Sequence, residues 1–270
     1  MTGMLWITAL FALFVWWFST GVILLVVRRA DRIGGHAHRL AVVGGLPVLA
    51  AGITGLAHSV TDTSVTGAYI GFLSALAIWG WAELSFLTGF IAGPNKTPCA
   101  PDARGIDRLR SAWNTIVHHE LLLLMGLLLL VVASTGASNQ IAMWTYLVLF
   151  GARILAKLNL FFGVPRINTE FVPRPLDHMT SYFRKGPVTL AFPLAITLLS
   201  FALACLMHQL WTETDPARLV GFALLGSLTA LALLEHWLMV LPLPDAKLWR
   251  WMLPAPATPK PRYAPTHNKN

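Results

Sequence analysis

Along the chain, apolar runs alternate with short polar stretches. The runs fall at about 4–27, 40–58, 65–92, 112–133, 141–162, 188–211 and 218–241. Each is close to the ~20 residues an α-helix needs to cross ~30 Å of hydrocarbon. The pattern predicts an all-α fold, a polytopic membrane helix bundle of about seven transmembrane helices that forms one domain over residues 1–245. The cytoplasmic tail, 246–270, is Pro-rich and cationic. From about residue 253 it has almost nothing to bury, so it is expected to be disordered.

Charge sets the expected orientation. Basic residues cluster in four connecting regions: Arg28, Arg29, Arg32 and Arg39; Lys96, Arg104, Arg108 and Arg110; Arg166, Arg174, Arg184 and Lys185; and Lys247, Arg250, Lys260, Arg262 and Lys269. The alternate loops offer only Arg218. Because short basic loops stay in the cytoplasm, the N-terminus is expected outside and the C-terminus inside. The first run is preceded by the uncharged "MTGM" and followed by "RR". That is the reverse of a cleaved signal, so the run is expected to remain as an anchor.

Composition agrees with a membrane protein: 56% of residues are hydrophobic and 12% charged, against roughly a quarter charged in soluble domains. The formal net charge of +8 is spread over four membrane edges. It suits insertion and anionic lipid better than nucleic acid, which is not expected as a partner. Cys99 and Cys205 are expected near opposite membrane faces and have no metal-ligand spacing. There is no G-x-S-x-G, P-loop, H-E-x-x-H or dinucleotide fingerprint. The connection "GVPRINTEFVPRPLDHMTSYFRKGP" exceeds the ~12–15 residues beyond which a loop is usually functional or disordered. Its apolar residues interleave with charges, which predicts a lid or docking surface folded against the membrane face.

The spans share one polar layer. Counting inward at 1.5 Å per residue puts His118, His119 and Glu120 roughly 9–12 Å from the basic-loop side, and Glu83, Arg153, Lys157, Asn159, Glu235 and His236 at comparable depth. Five such charges facing lipid would cost on the order of 15 kcal/mol, so they must face one another or water. His118 to Glu120 cover about 200° of helix circumference at 100° per residue, which predicts a fourth span surrounded by protein on most sides. Asn114 and His118 share one helix face, and Arg153 and Lys157 another.

Three chemistries suit this layer. The first is a structural polar network, with Asn114, His118, Arg153, Lys157 and Asn159 among its members. The second is a di-iron or manganese centre on Glu83, His119, Glu120, Glu235 and His236, although the adjacent "HE" and "EH" pairs depart from the Glu-x-x-His spacing of di-iron bundles. The third is a tetrapyrrole held between His119 and His236. Retinal is excluded, because the seventh span has no Lys for a Schiff base.

The strings "GPNKTPCAP", "HHE", "AKLNLFFGVPRINTEFVP", "SYFRKGP" and "LEHWLMVLPLPDAKLWRW" give the chain a resemblance to the PuhE family, the photosynthetic complex assembly protein 2 of purple bacteria and their relatives. The resemblance spans most of the chain. It implies a multi-pass protein of the bacterial cytoplasmic (inner or intracytoplasmic) membrane that supports assembly of the photosynthetic complexes and modulates or handles bacteriochlorophyll. The implied partners are membrane lipids and either photosynthetic complex subunits or pigment-synthesis enzymes. It implies no reaction. Two functions of different class follow: a non-enzymatic assembly or pigment-handling factor, and a membrane-bound di-metal oxidoreductase acting on a pigment or lipid.

Overall fold

The computed structural model describes residues 2–242. The expected tail, 246–270, lies outside the described residues. The described residues form eight helices: α1 (Thr2–Ile33), α2 (Ala37–Gly44), α3 (Leu46–Ser59), α4 (Val65–Leu87), α5 (Gly105–Ser134), α6 (Ile141–Phe162), α7 (Ala191–Thr212) and α8 (Pro216–Leu238). Among the described residues there is no strand, and seven segments are long and apolar enough to cross a membrane. The second of these is α2 and α3 together.

The junction inside that span follows from its residues. Pro47 has no backbone N–H to donate, and Gly45 takes the junction position. Trp81 Nε1 of α4 donates to Val42 O, 3.2 Å away. Small residues then let α3 lie close against α4: a Cβ on Gly52 would sit 3.0 Å from that of Ala77, and one on Gly55 would collide with the Ser74 hydroxyl. Without a hydrophobic driving force in lipid, such close backbone approach is a main source of helix association.

The central helices are α4 and α8. In their most apolar windows 67% and 56% of residues are buried, against 17–22% in the other spans. The expectation that the fourth span is surrounded on most sides is therefore corrected. His119 of α5 is buried, but Asn114 and His118 are exposed on its outer face, so the polar triplet faces three different environments. The core behind α4 is built on Phe72, Trp79 and Tyr146, with the Trp79 and Tyr146 rings edge to face at 5.2 Å. Tyr146 closes its own polar account by donating to Leu123 O at 3.1 Å.

The third span is shorter than its apolar run, ending at Leu87 instead of residue 92. Gly89, at φ +70°, turns the chain back, a conformation that glycine adopts without a Cβ penalty. The returning segment lies along α5. Ala92 O accepts from His119 N at 3.0 Å, and Asn95 N donates to Asn114 O at 3.1 Å. Gly93 is wedged there: a Cβ would run into the α5 backbone at Asn114 and Thr115. The turn of α5 that carries "HHE" is thus bonded to the "GPN" stretch.

This contact predicts two different outcomes for glycine replacement. Gly93→Ala should lower stability by about 3 kcal/mol, the scale of overpacking against an unyielding backbone. Gly80→Ala, whose Cβ would meet only Ile23 Cδ1 at 3.5 Å, should be neutral or slightly stabilising, since alanine is the better helix former. Thermal unfolding of the two detergent-solubilised variants would show the contrast.

Candidate functional site

Glu83 sits on the buried face of α4, and two elements reach it. Arg153 Nη2 of α6 donates to Glu83 Oε2 at 2.9 Å. His119 Nε2 of α5 stands 3.7 Å from Glu83 Oε1, beyond hydrogen-bond reach. One turn along α6, Lys157 pairs with Glu120 of α5. Two ion pairs therefore tie α4 to α6 and α5 to α6. Phe86, one turn after Glu83, is their apolar centre. Its ring stacks on that of His119 at 4.2 Å, and Arg153 and Lys157 lie 5.9 and 5.8 Å from its centroid, within cation–π range. Phe86 was not singled out in the sequence. The available signal was its i+3 spacing from Glu83, which puts both on one helix face.

The other layer residues separate from these pairs. Glu235 Oε1 of α8 accepts from Trp16 Nε1 of α1 at 3.2 Å. His236 is buried, with Nδ1 2.8 Å from Ala232 O one turn back. Asn159 is buried but donates from Nδ2 to its own helix, at Leu155 O. Neither Asn159 nor the exposed Asn114 and His118 joins the ion pairs, which corrects the wider polar network expected for them. The proposed ligands Glu83, His119, Glu120, Glu235 and His236 do not gather around one point. Among the described residues no three His, Cys, Asp or Glu side chains form a group able to hold a metal ion. The carboxylates of Glu83 and Glu120 are taken up by cations one by one. For a tetrapyrrole held from both sides the positions are also unequal: His236 borders the cavity described next, and His119 does not.

That cavity, about 780 Å³ and mostly apolar, runs between α1, α4, α5, α6 and α8, within the size range of small-molecule sites. Glu83, Glu120, Arg153, Lys157, Glu235 and His236 all border it. Its aromatic wall includes Trp16, Trp79, Phe86 and Phe150. Leu121 and Leu124 of α5 and Ile154 and Leu158 of α6 line it while remaining exposed, so it is not sealed from surrounding hydrocarbon.

The basic-loop end is closed by the long connection expected as a lid. It folds as two 3₁₀ turns, Thr169–Phe171 and Arg174–Tyr182, burying Leu176 and Tyr182. Leu176 packs with Phe86 and Ala92. The Tyr182 hydroxyl is 2.8 Å from Ser111 Oγ and accepts from Asn95 Nδ2 at 3.0 Å. Arg108 Nη2 donates to Tyr182 O at 2.7 Å and to Phe161 O at 3.1 Å. Further bonds reach α1 and the turn that ends α8: Arg174 Nη1 donates to Asp31 O, and Arg166 N to Met239 O.

Because Arg153 is the direct partner of Glu83, Arg153→Met should leave a buried carboxylate unpaired. The expected cost is about 2 kcal/mol, below the ~3–5 of a fully buried pair because the Arg153 side chain is 34% exposed. The Glu83→Leu/Arg153→Met double variant should recover most of it. A double-mutant cycle on thermal stability in detergent measures both.

Comparison with known proteins gives the chain a relative and a family. It is 50% identical over 254 residues, 94% of this chain and 93% of the other, to a Rhodobacter capsulatus protein described as "Uncharacterized 30.4 kDa protein in puhA 5'region". No solved structure matches the chain. The sequence model of one family matches residues 2–260. With nearly the whole chain covered, the protein belongs to the family described as Protein of unknown function (DUF3623).

Proposed function

We propose that this protein is an integral membrane factor supporting assembly of the bacterial photosynthetic complexes, and that it works by holding a pigment or pigment precursor in the cavity. The observation that carries the reading is the cavity itself. It is a space of about 780 Å³ inside a bundle, apolar over most of its wall, with charged and imidazole groups contributed by α4, α5, α6 and α8 and a folded segment across one end. That is the shape of a site for an amphiphile with a large apolar body. The exposed apolar residues of its wall offer such a molecule a route from the bilayer. The printed name of the Rhodobacter capsulatus relative puts it in the puhA 5' region, and the resemblance to the PuhE family, whose members support photosynthetic complex assembly, points the same way. The proposed location is the bacterial cytoplasmic or intracytoplasmic membrane, with the N-terminus outside and the capping segment on the cytoplasmic side. Photosynthetic complex subunits or pigment-synthesis enzymes are the proposed partners.

The rival reading, a di-metal oxidoreductase, is less well supported. It requires carboxylates free to bridge two metals, and here Glu83 and Glu120 are held by Arg153 and Lys157.

Gly80 allows a test that removes no polar group. It borders the cavity, and its Cβ position meets nothing closer than 3.5 Å. Gly80→Trp in the chromosomal copy should leave the protein at normal abundance in the membrane. Pigmented complexes should fall severalfold, read as near-infrared absorbance of isolated membranes. Normal pigmentation in a folded, cavity-filled variant would sink the proposal.

A further inference from the structure

The ionisable groups around the cavity are unevenly matched. Three carboxylates and two cations border it: Glu83, Glu120 and Glu235 against Arg153 and Lys157. Arg153 and Lys157 are committed to Glu83 and Glu120. Glu235 is left over. It is exposed, borders the cavity and has no ion-pair partner among the described residues. Trp16 occupies its Oε1, while no donor among the described residues bonds its Oε2.

The neighbouring residue offers a second free acceptor. A carbonyl oxygen can only accept, so the 2.8 Å contact of His236 Nδ1 with Ala232 O requires the proton on Nδ1. The lone pair of the neutral ring is then on Nε2, which is buried without a partner. Two successive residues of α8 that border the cavity thus carry unclaimed acceptors, Glu235 Oε2 on an exposed side chain and His236 Nε2 on a buried one.

We infer that the cavity takes a neutral amphiphile whose head group donates hydrogen bonds, with Glu235 and His236 as its acceptors. The inference rests on the reading of the cavity as a binding site and specifies the head-group chemistry that the site selects. An anionic head, phosphate or carboxylate, meets three carboxyl groups and two cations that are already paired. A head that only accepts, such as an ether or quinone carbonyl, leaves both acceptors unmet in a low-dielectric space. A hydroxyl satisfies them. Membrane-soluble hydroxyls of this kind occur on long isoprenoid alcohols and on quinols, which differ in the body behind the donor.

Matched probes on the full-length protein in nanodiscs test this. Tritiated geranylgeraniol is measured against its O-methyl ether and its monophosphate, and decylubiquinol against decylubiquinone. The expected result is that the alcohol, the quinol or both bind about tenfold or more tightly than the partner lacking the donor, the scale of one hydrogen bond. The tighter of the two identifies the source. Glu235→Leu and His236→Phe should each reduce that preference severalfold without changing affinity for the methyl ether, whose retention also reports that the variant is folded. Equal binding of alcohol and ether together with equal binding of quinol and quinone, or tighter binding of the monophosphate, would overturn the head-group inference and leave the cavity reading standing. If no probe is retained by the wild-type protein, the cavity reading falls too.

Discussion

A charge placed among helices in hydrocarbon is costly unless it is paired, and here two such pairings organise the bundle. Glu83 has Arg153, Glu120 has Lys157, and both cations lie one turn apart on α6. One helix therefore holds two others, α4 and α5, at a common level. Pairing offsets a desolvation cost that neither member could bear alone. It also favours one register, since sliding α6 by one turn would leave at least one of the two carboxylates without its cation. Phe86 lies between the two cations and against His119, so the apolar packing and the ion pairs depend on the same few side chains.

The spans were legible in the sequence because a bilayer imposes a length and a composition on anything that crosses it. The fifth span, 141–162, coincides with its apolar run, and the seventh differs by two or three residues. The third span departs from its run because some apolar residues do something other than cross. Phe90, Ile91 and Ala92 extend the third run, yet they belong to the segment that turns back at Gly89. Hydropathy cannot tell a helix from a strand of chain lying against one. The same limit applies to the polar layer. Depth could be counted, so the level of the ionisable residues was readable, but azimuth depends on which helices are neighbours. That is why His119 and Glu83 meet, while His118 and Asn114, expected in the same network, face outward. The carboxylate-to-cation pairing followed from partner choice among helices distant in sequence, for which a single chain gives no signal.

Two strings that looked like mere family markers have physical content. "GPN" needs its glycine because Gly93 has backbone of α5 where a side chain would be, and its asparagine because Asn95 bonds both Ser111 and Tyr182. "SYFRKGP" supplies Tyr182, whose hydroxyl joins the returning segment to α5. Two stretches far apart in sequence thus close one end of the bundle together with α5.

The closing segment is anchored to helices on both sides: through Arg174 to Asp31 at the end of α1, and through Arg166 to Met239 just beyond α8. A brace fixed at two points transmits strain between them. Helices accommodate a bilayer of unmatched thickness by tilting, and a change in tilt between α1 and α8 would pull on both ends of the brace. A bilayer that altered that tilt would therefore load the segment that closes the room above the ion pairs.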